Sequence, residues 1–259
     1  MKFRGLWPMK GLKTKFLGRY CCRYSELPTT MEAARELARE GAPEGAVVMA
    51  DVQTAGRGRL GRSWFSPLGG LAMSVVFKPP LGHLPYMVMI ASLAVVKAIK
   101  KVTGLRCSIK WPNDVLIGDK KVCGILIESE VVSGQVNFVI VGIGVNINFN
   151  PSILPEISDI ATSLSRELGR EVDRDKFTCT LLLELEKLYL KVQAGASNSV
   201  YREWKEYLET LGKWVTVKSG QQVDRGKAED VTERGSLILR HADGSLVEVM
   251  AGDVTIVKD

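Results

Sequence analysis

Short apolar stretches separated by glycine and turn residues run through the middle of the chain and predict a buried β-sheet. Strands are expected at "AVVMADVQ" (46–53), "GLAMSVVFKP" (70–79) and "QVNFVIVGIGVNINF" (135–149). The stretch "IKWPNDVLIGDKKVCGILIE" (109–128) predicts a strand, a break and a hairpin that turns at Gly118-Asp119. A second turn at Ser133-Gly134 would lead the chain into the last strand.

Four other stretches have the composition and spacing of helices. The first, "LPTTMEAARELAREGAP" (27–43), carries a marker at each end. Thr29 and Glu32 have the spacing of a capping box, and Gly41 is placed to stop the helix. Further helices are predicted over 85–102, 175–193 and 199–210.

The pattern changes at residue 211, where short alternating runs with frequent turn signals replace the longer elements. Such a pattern predicts an all-β segment, here of the size of a small barrel. The sequence therefore predicts an α+β protein in three parts. These are a basic N-terminal arm with the first strand (1–24), a mixed-sheet main domain with flanking helices (25–210) and a small β-barrel (211–259).

The charge of the chain is uneven. Its formal net charge is +6, but residues 1–24 hold seven bases and no acid, so the remainder is close to neutral. A basic, acid-poor leader is typical either of an organelle transit peptide or of a terminal arm that leads into the first strand, and we favour the arm. Because the basic balance comes from the leader alone, it argues against a nucleic-acid-binding surface over the whole protein.

Several functional classes are excluded by composition. The most apolar run, 84–96, is too short to span a bilayer, so no membrane segment is predicted. The five cysteines include no C-x-x-C pair, which indicates neither a disulfide framework nor a zinc site and fits a reducing cytoplasm. The two histidines, His83 and His241, lie in turn-like settings and predict no histidine-based nucleophilic mechanism.

The loop "QTAGRGRLGRSWFSP" (53–67) combines glycines and arginines and contains no acid. It lies within a run of 62 residues between Asp51 and Asp114 that has nine bases and no carboxylate. Flexible backbone N–H groups and guanidinium forks are suited to binding phosphate or carboxylate. We favour a site for a small anion over a solvated loop that faces nucleic acid, because the glycines let the backbone approach a ligand closely.

The motif "KWPND" (110–114) ends this acid-free run on a rigid bend, because Pro112 restricts the residue before it and removes a backbone donor. Lys110 is placed to contact a transferring group, and Asn113 to orient polar atoms. Asp114 either holds Mg²⁺ or pairs with a loop arginine. Taken alone, the motif is also compatible with a plain turn. No G-x-x-x-x-G-K-[ST] is present, so a P-loop is not the phosphate-binding device.

Four motifs, taken in order, give the chain a specific resemblance: "GRGRLGRSW" (56–64), "KWPNDV" (110–115), "KVCGILIE" (121–128) and "VGIGVNIN" (141–148). With them the chain resembles the biotin protein ligases over about residues 18–259. Its C-terminal segment, with "GKAEDVTERGSLIL" and "GDVTI", is similar to the SH3-like domain of that family. Only about 25 residues precede the first helix. The resemblance is therefore to the short class, which lacks the N-terminal winged-helix DNA-binding domain and is often homodimeric.

The resemblance implies a reaction in two steps, which uses ATP, biotin and Mg²⁺. The carboxylate of biotin attacks the α-phosphate of ATP and gives biotinyl-5′-AMP and pyrophosphate. A specific lysine of a biotin carboxyl carrier protein then attacks the mixed anhydride, and AMP leaves. Neither step needs a covalent enzyme intermediate, so the enzyme must supply positioning and charge stabilisation.

The resemblance also implies roles for individual residues. Catalysis is assigned to Arg59, Lys110 and Lys121, with Lys110 as the first choice for stabilising the transition state. Biotin contacts are expected from Thr29, Thr30, Met31, Gln53, Gly56, Arg57, Gly58, Arg59, Lys121, Gly124 and Leu126. Contacts to ATP or the adenylate are expected from Arg59, Arg62, Trp64, Asn113, Lys121 and Asn146, and a contact to Mg²⁺ from Asp114.

One position departs from the pattern of the family, which often has Ser-Thr-Asn before the first helix. This chain has Thr29-Thr30-Met31 there. The hydroxyl groups are kept and the amide is lost, so the roles of Thr30 and Met31 are less firmly implied. Either Thr29 contacts biotin, or it only caps the helix.

Two other functions are compatible with parts of the sequence. A lipoate-protein ligase would share the adenylating fold, but the Arg-Arg…Gly-Gly-Gly stretch and following histidine of that family are absent. A nucleic-acid-binding module would need aromatic residues interleaved with bases. The C-terminal segment has one aromatic residue, Trp214, and nearly balanced charge, which is unfavourable for binding phosphates.

Overall fold

The computed structural model of the protein describes residues 3–6 and 9–257 and contains two β-sheets. The strands of the larger sheet are β1 (Phe3–Leu6), β2 (Cys21–Leu27), β3 (Val47–Gln53), β4 (Leu71–Phe77), β5 (Ser108–Lys110), β6 (Asp114–Ile117), β7 (Lys120–Val132) and β8 (Gln135–Val145). Their order across the sheet is β1-β2-β3-β4-β8-β7-β6-β5. Strands β2 and β3 are parallel and the other described pairs are antiparallel, so the sheet is mixed, as predicted.

Helices cover both faces of this sheet. Successive residues of a strand point to opposite faces, so one strand can contribute apolar side chains to the core on each side. The helices are α1 (Thr30–Arg39), α2 (Tyr86–Thr103), α3 (Leu164–Leu168), α4 (Arg174–Gln193) and α5 (Ser197–Glu206). In β3, Val48 and Ala50 belong to the core under α1, whereas Val47 and Met49 belong to the core shared with α2 and α4. The predicted α+β architecture is confirmed.

The predicted helix bounds hold for two helices and fail for the last one. Helices α2 and α4 lie within one residue of the predicted 85–102 and 175–193, but α5 ends at Glu206 rather than at residue 210. Tyr207 O accepts a hydrogen bond from Ile109 N (2.8 Å), and Glu209 N donates one to Ile109 O (3.1 Å). The chain therefore leaves the helix to pair with the edge strand β5.

The N-terminus of α1 is capped by Thr29, whose Oγ1 accepts a hydrogen bond from Met31 N (3.3 Å). The predicted capping box is incomplete. The carboxylate of Glu32 lies 2.6 Å from Arg35 and 3.4 Å from Arg57 and is used in those ion pairs. Glu32 thus links the helix to the glycine- and arginine-rich loop that follows β3.

The C-terminal segment forms the second sheet, and its predicted all-β character is confirmed. Its strands are β9 (Trp214–Ser219), β10 (Gln222–Val231), β11 (Leu237–Arg240), β12 (Leu246–Val249) and β13 (Asp253–Ile256). The order is β12-β11-β10-β9-β13, with antiparallel neighbours. Lys258 and Asp259 of the predicted barrel lie outside the described residues.

The described part of the basic arm packs against α4. Glu186 of α4 is buried, and its carboxylate accepts hydrogen bonds from the backbone N–H groups of Lys15 (2.7 Å), Phe16 (2.8 Å) and Leu17 (3.0 Å). Strand β2 continues across the boundary predicted between residues 24 and 25, because it pairs with β3 along its whole length. Residues 1, 2, 7 and 8 of the arm lie outside the described residues.

The cysteines have structural surroundings. All five are free, and burial raises the pKa of Cys21 and of Cys107 to about 12. A thiol with so high a pKa stays protonated near neutral pH and is a poor nucleophile. Over residues 3–6 and 9–257, none of the helices combines the length and the apolar character needed to cross a bilayer.

Candidate active site

A cavity opens between the larger sheet and the Arg-Gly loop, which we define as residues 54–66. The start of α1, the end of β3, the β6–β7 hairpin, β8 and the start of β13 complete its walls. The lining residues are Thr29, Thr30, Met31, Gln53, Arg57, Gly58, Arg59, Arg62, Ser63, Trp64, Ala72, Met73, Asn113, Asp114, Lys121, Gly124, Ile125, Leu126, Gly142, Ile143, Gly144 and Asp253. Most residues predicted to bind biotin or ATP are therefore brought together, although the motifs that contain them are far apart in the chain.

The Arg-Gly loop folds back on itself as a narrow hairpin. Trp64 N donates a hydrogen bond to Gly56 O (2.8 Å), and Gly58 N donates one to Arg62 O (2.7 Å). Leu60 at the tip has φ 53, in the left-handed region. A Cβ on Gly56 would collide with the carbonyl of Trp64. Gly56 is not a lining residue, and its contribution is to let the two sides of the loop approach each other.

Two arginines of the loop pair with acids that are distant in the sequence. Arg57 lies 3.4 Å from Glu32 of α1 and 3.8 Å from Glu128 of β7. Arg62 forms an ion pair with Asp253 at the start of β13. The sequence has no acid next to these arginines, but the fold supplies three. The loop is therefore held by ion pairs on two sides.

Arg59 bridges the two sheets. Its guanidinium donates hydrogen bonds to Asn113 Oδ1 and to Gly252 O, each with a donor–acceptor distance of 3.1 Å. Burial lowers the pKa of Arg59, and the carboxylates of Asp253 and Asp114 oppose this change. A guanidinium remains charged under such conditions, so a fixed cation faces the cavity.

One end of the cavity is polar but uncharged. Thr30 Oγ1 lies 3.1 Å from Gln53 Oε1 and 2.8 Å from Ser74 Oγ, and Thr30 N donates a hydrogen bond to Gln53 Oε1 (2.8 Å). Thr30 and Ser74 are buried. Thr29 also lines the cavity, while its hydroxyl group caps α1. This group of hydroxyl and amide groups can orient a small neutral polar ligand.

Three glycines, Gly124 of β7 and Gly142 and Gly144 of β8, form the floor of the cavity, which we call the glycine floor. A Cβ on Gly142 would collide with Met31 Sδ, and one on Gly144 would collide with the indole of Trp64. A Cβ on Gly124 would lie 3.0 Å from the same indole. The sequence analysis assigned Gly124 but missed Gly142 and Gly144. Their spacing of two residues was the available signal, because such residues share one face of a strand.

Two lysines converge on Asp114. Lys121 Nζ lies 2.6 Å from Asp114 Oδ1 and 5.4 Å from the centre of the Trp64 ring. Lys110 Nζ is 3.8 Å from Asp114 Oδ2 and does not line the cavity. Of the two lysines assigned to catalysis, Lys121 faces the cavity and Lys110 lies behind Asp114. The sequence analysis offered a loop arginine as a partner of Asp114. In the structure, the partners of Asp114 are two lysines instead.

The predicted contact of Asp114 with Mg²⁺ stays a prediction. Both oxygens of Asp114 face ammonium groups, which oppose a further cation. Residues 3–6 and 9–257 contain no group of three His, Cys, Asp or Glu side chains that could hold a metal. The geometry gives Asp114 the role of a counter-charge for lysine.

Asn146 was predicted to contact nucleotide but does not line the cavity. Its Nδ2 donates a hydrogen bond to Thr162 O, and its backbone N donates one to Val122 O, each with a donor–acceptor distance of 2.9 Å. The first contact joins the end of β8 to the segment that precedes α3, and the second joins it to β7. The sequence analysis also missed Asp253, although the motif "GDVTI" that contains it had been singled out.

Comparison with known proteins agrees with this arrangement. Residues 25–146 match the Biotin/lipoate A/B protein ligase family, and residues 210–257 match the Biotin protein ligase C terminal domain. The bifunctional ligase/repressor BirA of Bacillus subtilis is 37% identical over 250 residues, which cover 95% of this chain and 77% of BirA. The chain belongs to the biotin protein ligase family.

Solved ligases of this family have the same fold. The biotin protein ligase of Aquifex aeolicus, in complex with biotin and ATP, matches with a TM-score of 0.80 and 29% identity and covers 93% of this chain and 100% of that chain. The biotin protein ligase of Leishmania major, in complex with biotinyl-5-AMP, matches with a TM-score of 0.63 and 25% identity over 89% of this chain and 98% of that chain. The resemblance inferred from the four motifs is confirmed.

The alternative functions are less well supported. The two solved relatives named above are biotin protein ligases, which favours biotin over lipoate. In the structure, Arg57 and Arg62 are paired with carboxylates. Both arginines also line a cavity, whereas binding of nucleic acid would require an extended basic surface.

Proposed function

We propose that this ligase attaches biotin to a specific lysine of a biotin carboxyl carrier protein, with ATP as co-substrate and biotinyl-5′-AMP as intermediate. The observation that carries the proposal is a cavity lined by four cations, Arg57, Arg59, Arg62 and Lys121, and by the neutral polar groups of Thr30 and Gln53. A carboxylic acid with a neutral ring fits such a cavity, with its carboxylate among the cations. The phosphates of a nucleotide would share the same cations.

The uncharged end is the proposed biotin site. Thr30 and Gln53 would hydrogen-bond the ureido ring, because their hydroxyl and amide groups are partly buried and already hydrogen-bonded to each other. Met31 and the glycine floor, here represented by Gly124 and Gly142, would contact the apolar parts of the ring system. Gly58 and Leu126, also predicted as biotin contacts, line the same cavity.

The first step brings two anions together, since the carboxylate of biotin must approach the α-phosphate of ATP. Arg59 and Lys121 would offset the repulsion and the charge that develops at phosphorus. Both cations are already oriented, Arg59 by Asn113 and Gly252 and Lys121 by Asp114. Charges fixed in advance need little reorganisation when the reaction occurs, which is why they stabilise a transition state efficiently.

The second step needs an intact mixed anhydride until the carrier lysine arrives. The amine of that lysine attacks the acyl carbon of biotinyl-AMP, the C–O bond to phosphate breaks, and AMP leaves. The Arg-Gly loop covers the cavity through the contacts of Arg57 with Glu32 and of Arg62 with Asp253. We propose that this cover keeps water away from the anhydride.

The decisive experiment is exchange of labelled pyrophosphate into ATP, measured with biotin, lipoate and octanoate in parallel. Exchange that depends on biotin, followed by transfer of biotin to a purified carrier domain, is the expected result. Absence of exchange with any of the three acids, in protein shown by circular dichroism to be folded, would contradict the proposal. Faster exchange with lipoate than with biotin would move the assignment to the lipoate ligases.

We also propose that the ligase works in the cytoplasm as a homodimer. The five free cysteines support a reducing compartment. The exposed apolar side chains of Val131 and Val132, at the end of β7, support a contact between two copies. Size-exclusion chromatography with light scattering measures the mass in solution, and a monomer at micromolar concentration would argue against the dimer.

A further inference from the structure

An acidic side chain, Asp253, lies at the end of the cavity where the proposed function puts the phosphates of ATP. Its carboxylate forms an ion pair with Arg62. The side chain of Asp253 is 20% exposed, whereas that of Arg62 is 68% exposed. Arg59 is close enough to be affected too: burial lowers its pKa, and Asp253 is the charge that most opposes this. A carboxylate is unexpected at a site that binds anions, because it repels them.

The position of Asp253 is fixed by the C-terminal sheet. Asp253 begins β13 and pairs with Lys218 of β9. Gly252, the residue before it, packs so closely on β9 that a Cβ would lie 2.6 Å from Val217 Cγ1 and 3.0 Å from Lys218 O. The carbonyl of Gly252 accepts a hydrogen bond from Arg59. The second sheet thus presents one carbonyl and one carboxylate to two arginines of the loop.

Asp253 and a bound triphosphate would compete for the same guanidinium. A guanidinium fork binds a carboxylate or a phosphate through the same N–H groups. A fixed carboxylate also repels phosphate oxygens that approach within a few ångströms. The triphosphate carries a larger negative charge than the carboxylate, so a bound triphosphate attracts the guanidinium more strongly than Asp253 does.

We propose that Asp253 is an exchange partner of Arg62. In this account Asp253 holds Arg62, and with it the tip of the Arg-Gly loop, against the C-terminal sheet. The triphosphate of ATP then displaces the carboxylate and takes over the guanidinium. Asp253 is thus a positioning residue that lowers the affinity for ATP and keeps the loop ordered before ATP enters. The inference rests on the proposed function, which places the phosphates at Arg62.

The test compares Asp253→Asn with wild type by calorimetric titration with ATP and by limited trypsin digestion. The amide keeps the shape of the side chain and removes its charge. We expect ATP to bind roughly threefold more tightly, as is typical for loss of one partly exposed charge pair. Without ATP, trypsin should cut faster at the loop arginines, and Asp253→Glu, which keeps the charge, should behave as wild type.

Glu248→Gln is the matched control. It removes the same charge from β12, where Glu248 is exposed and has no ion pair within the described part of the chain. An unchanged or weaker affinity for ATP in Asp253→Asn would overturn the inference, and so would an equal gain in Glu248→Gln. Absence of biotin-dependent exchange in wild type would instead count against the proposed function, because the ATP titration does not depend on biotin.

Discussion

Lys121 and Asp114 form an ion pair in which Nζ lies 2.6 Å from Oδ1. Asp114 begins β6 and stands opposite Gly124 of β7, so the two strands of one hairpin hold both charges. The ammonium group lies beside the indole of Trp64 as well. Lys121 is therefore held at the cavity by Asp114 and Trp64, and its long side chain loses little further freedom when a substrate binds.

This arrangement predicts a large catalytic cost for Lys121→Met and a smaller one for Asp114→Asn. Loss of a fixed charge at a transition state commonly lowers kcat by about 10²–10³, and we expect that range for Lys121→Met in biotin-dependent pyrophosphate exchange. Asp114→Asn leaves the ammonium group in place but less well oriented, so a loss of about tenfold in kcat, with little change in KM, is expected.

Lys120→Met is the control for these two variants. Lys120 is the neighbouring residue of β7, and its Nζ donates a hydrogen bond to Ser158 O (3.3 Å), away from the cavity. Its kcat should equal that of wild type. A Lys121→Met enzyme with near wild-type kcat would remove Lys121 from the mechanism.

Arg59→Ala should let the intermediate escape. The variant loses the hydrogen bonds to Asn113 and Gly252 that join the middle of the loop to both sheets, so the loop should open more often. The expected result is a higher rate of biotinyl-AMP release when no carrier protein is present, measured by chromatography of the free adenylate. Arg202→Ala, on the exposed side of α5, is the control. An unchanged rate of release would mean that Arg59 does not hold the loop closed.

Glu186→Ala should destabilise the whole protein. The buried carboxylate accepts hydrogen bonds from three successive backbone N–H groups of the N-terminal arm, which would lose their acceptor. We expect the free energy of unfolding to fall by about 3 kcal/mol, measured from urea unfolding at pH 7. Glu184→Ala is the comparison: Glu184 is equally buried, but its partners Lys101 and Lys187 are half exposed and can turn to water. An equal loss in both variants would show that burial, rather than the three backbone hydrogen bonds, sets the cost.

The elements around the site could be predicted because their signals are local. Alternation and apolar runs define β3, β4 and β8, and turn residues mark both hairpins. The partners of the loop arginines could not be predicted in this way. Asp253 reaches Arg62 only because the C-terminal sheet packs beside the loop, and nothing in the sequence near either residue reports that contact.

Membership of a motif also does not decide which way a side chain points. Gly142, Gly144 and Asn146 have the same parity along "VGIGVNIN", so all three would face the cavity if the strand continued. Strand β8 ends at Val145, however, and the amide of Asn146 turns to Thr162. The end of the strand depends on pairing with distant segments, which local composition does not show.

Gly144→Ala should impair biotin binding more than Gly142→Ala does. Both substitutions add one methyl group to the same face of β8, but the new atoms meet different neighbours. At Gly142 the neighbour is Met31, whose flexible thioether can move aside. At Gly144 it is the rigid indole of Trp64, which the loop holds in place through Gly56.

We expect the KM for biotin to rise about tenfold or more in Gly144→Ala and about twofold in Gly142→Ala, as overpacking typically costs 1–3 kcal/mol where neighbours cannot yield. The thermal unfolding midpoint, measured on both variants, separates an effect on the cavity from general misfolding. Equal values of the KM for biotin in the two variants would mean that the ring of Trp64 is free to leave the glycine floor.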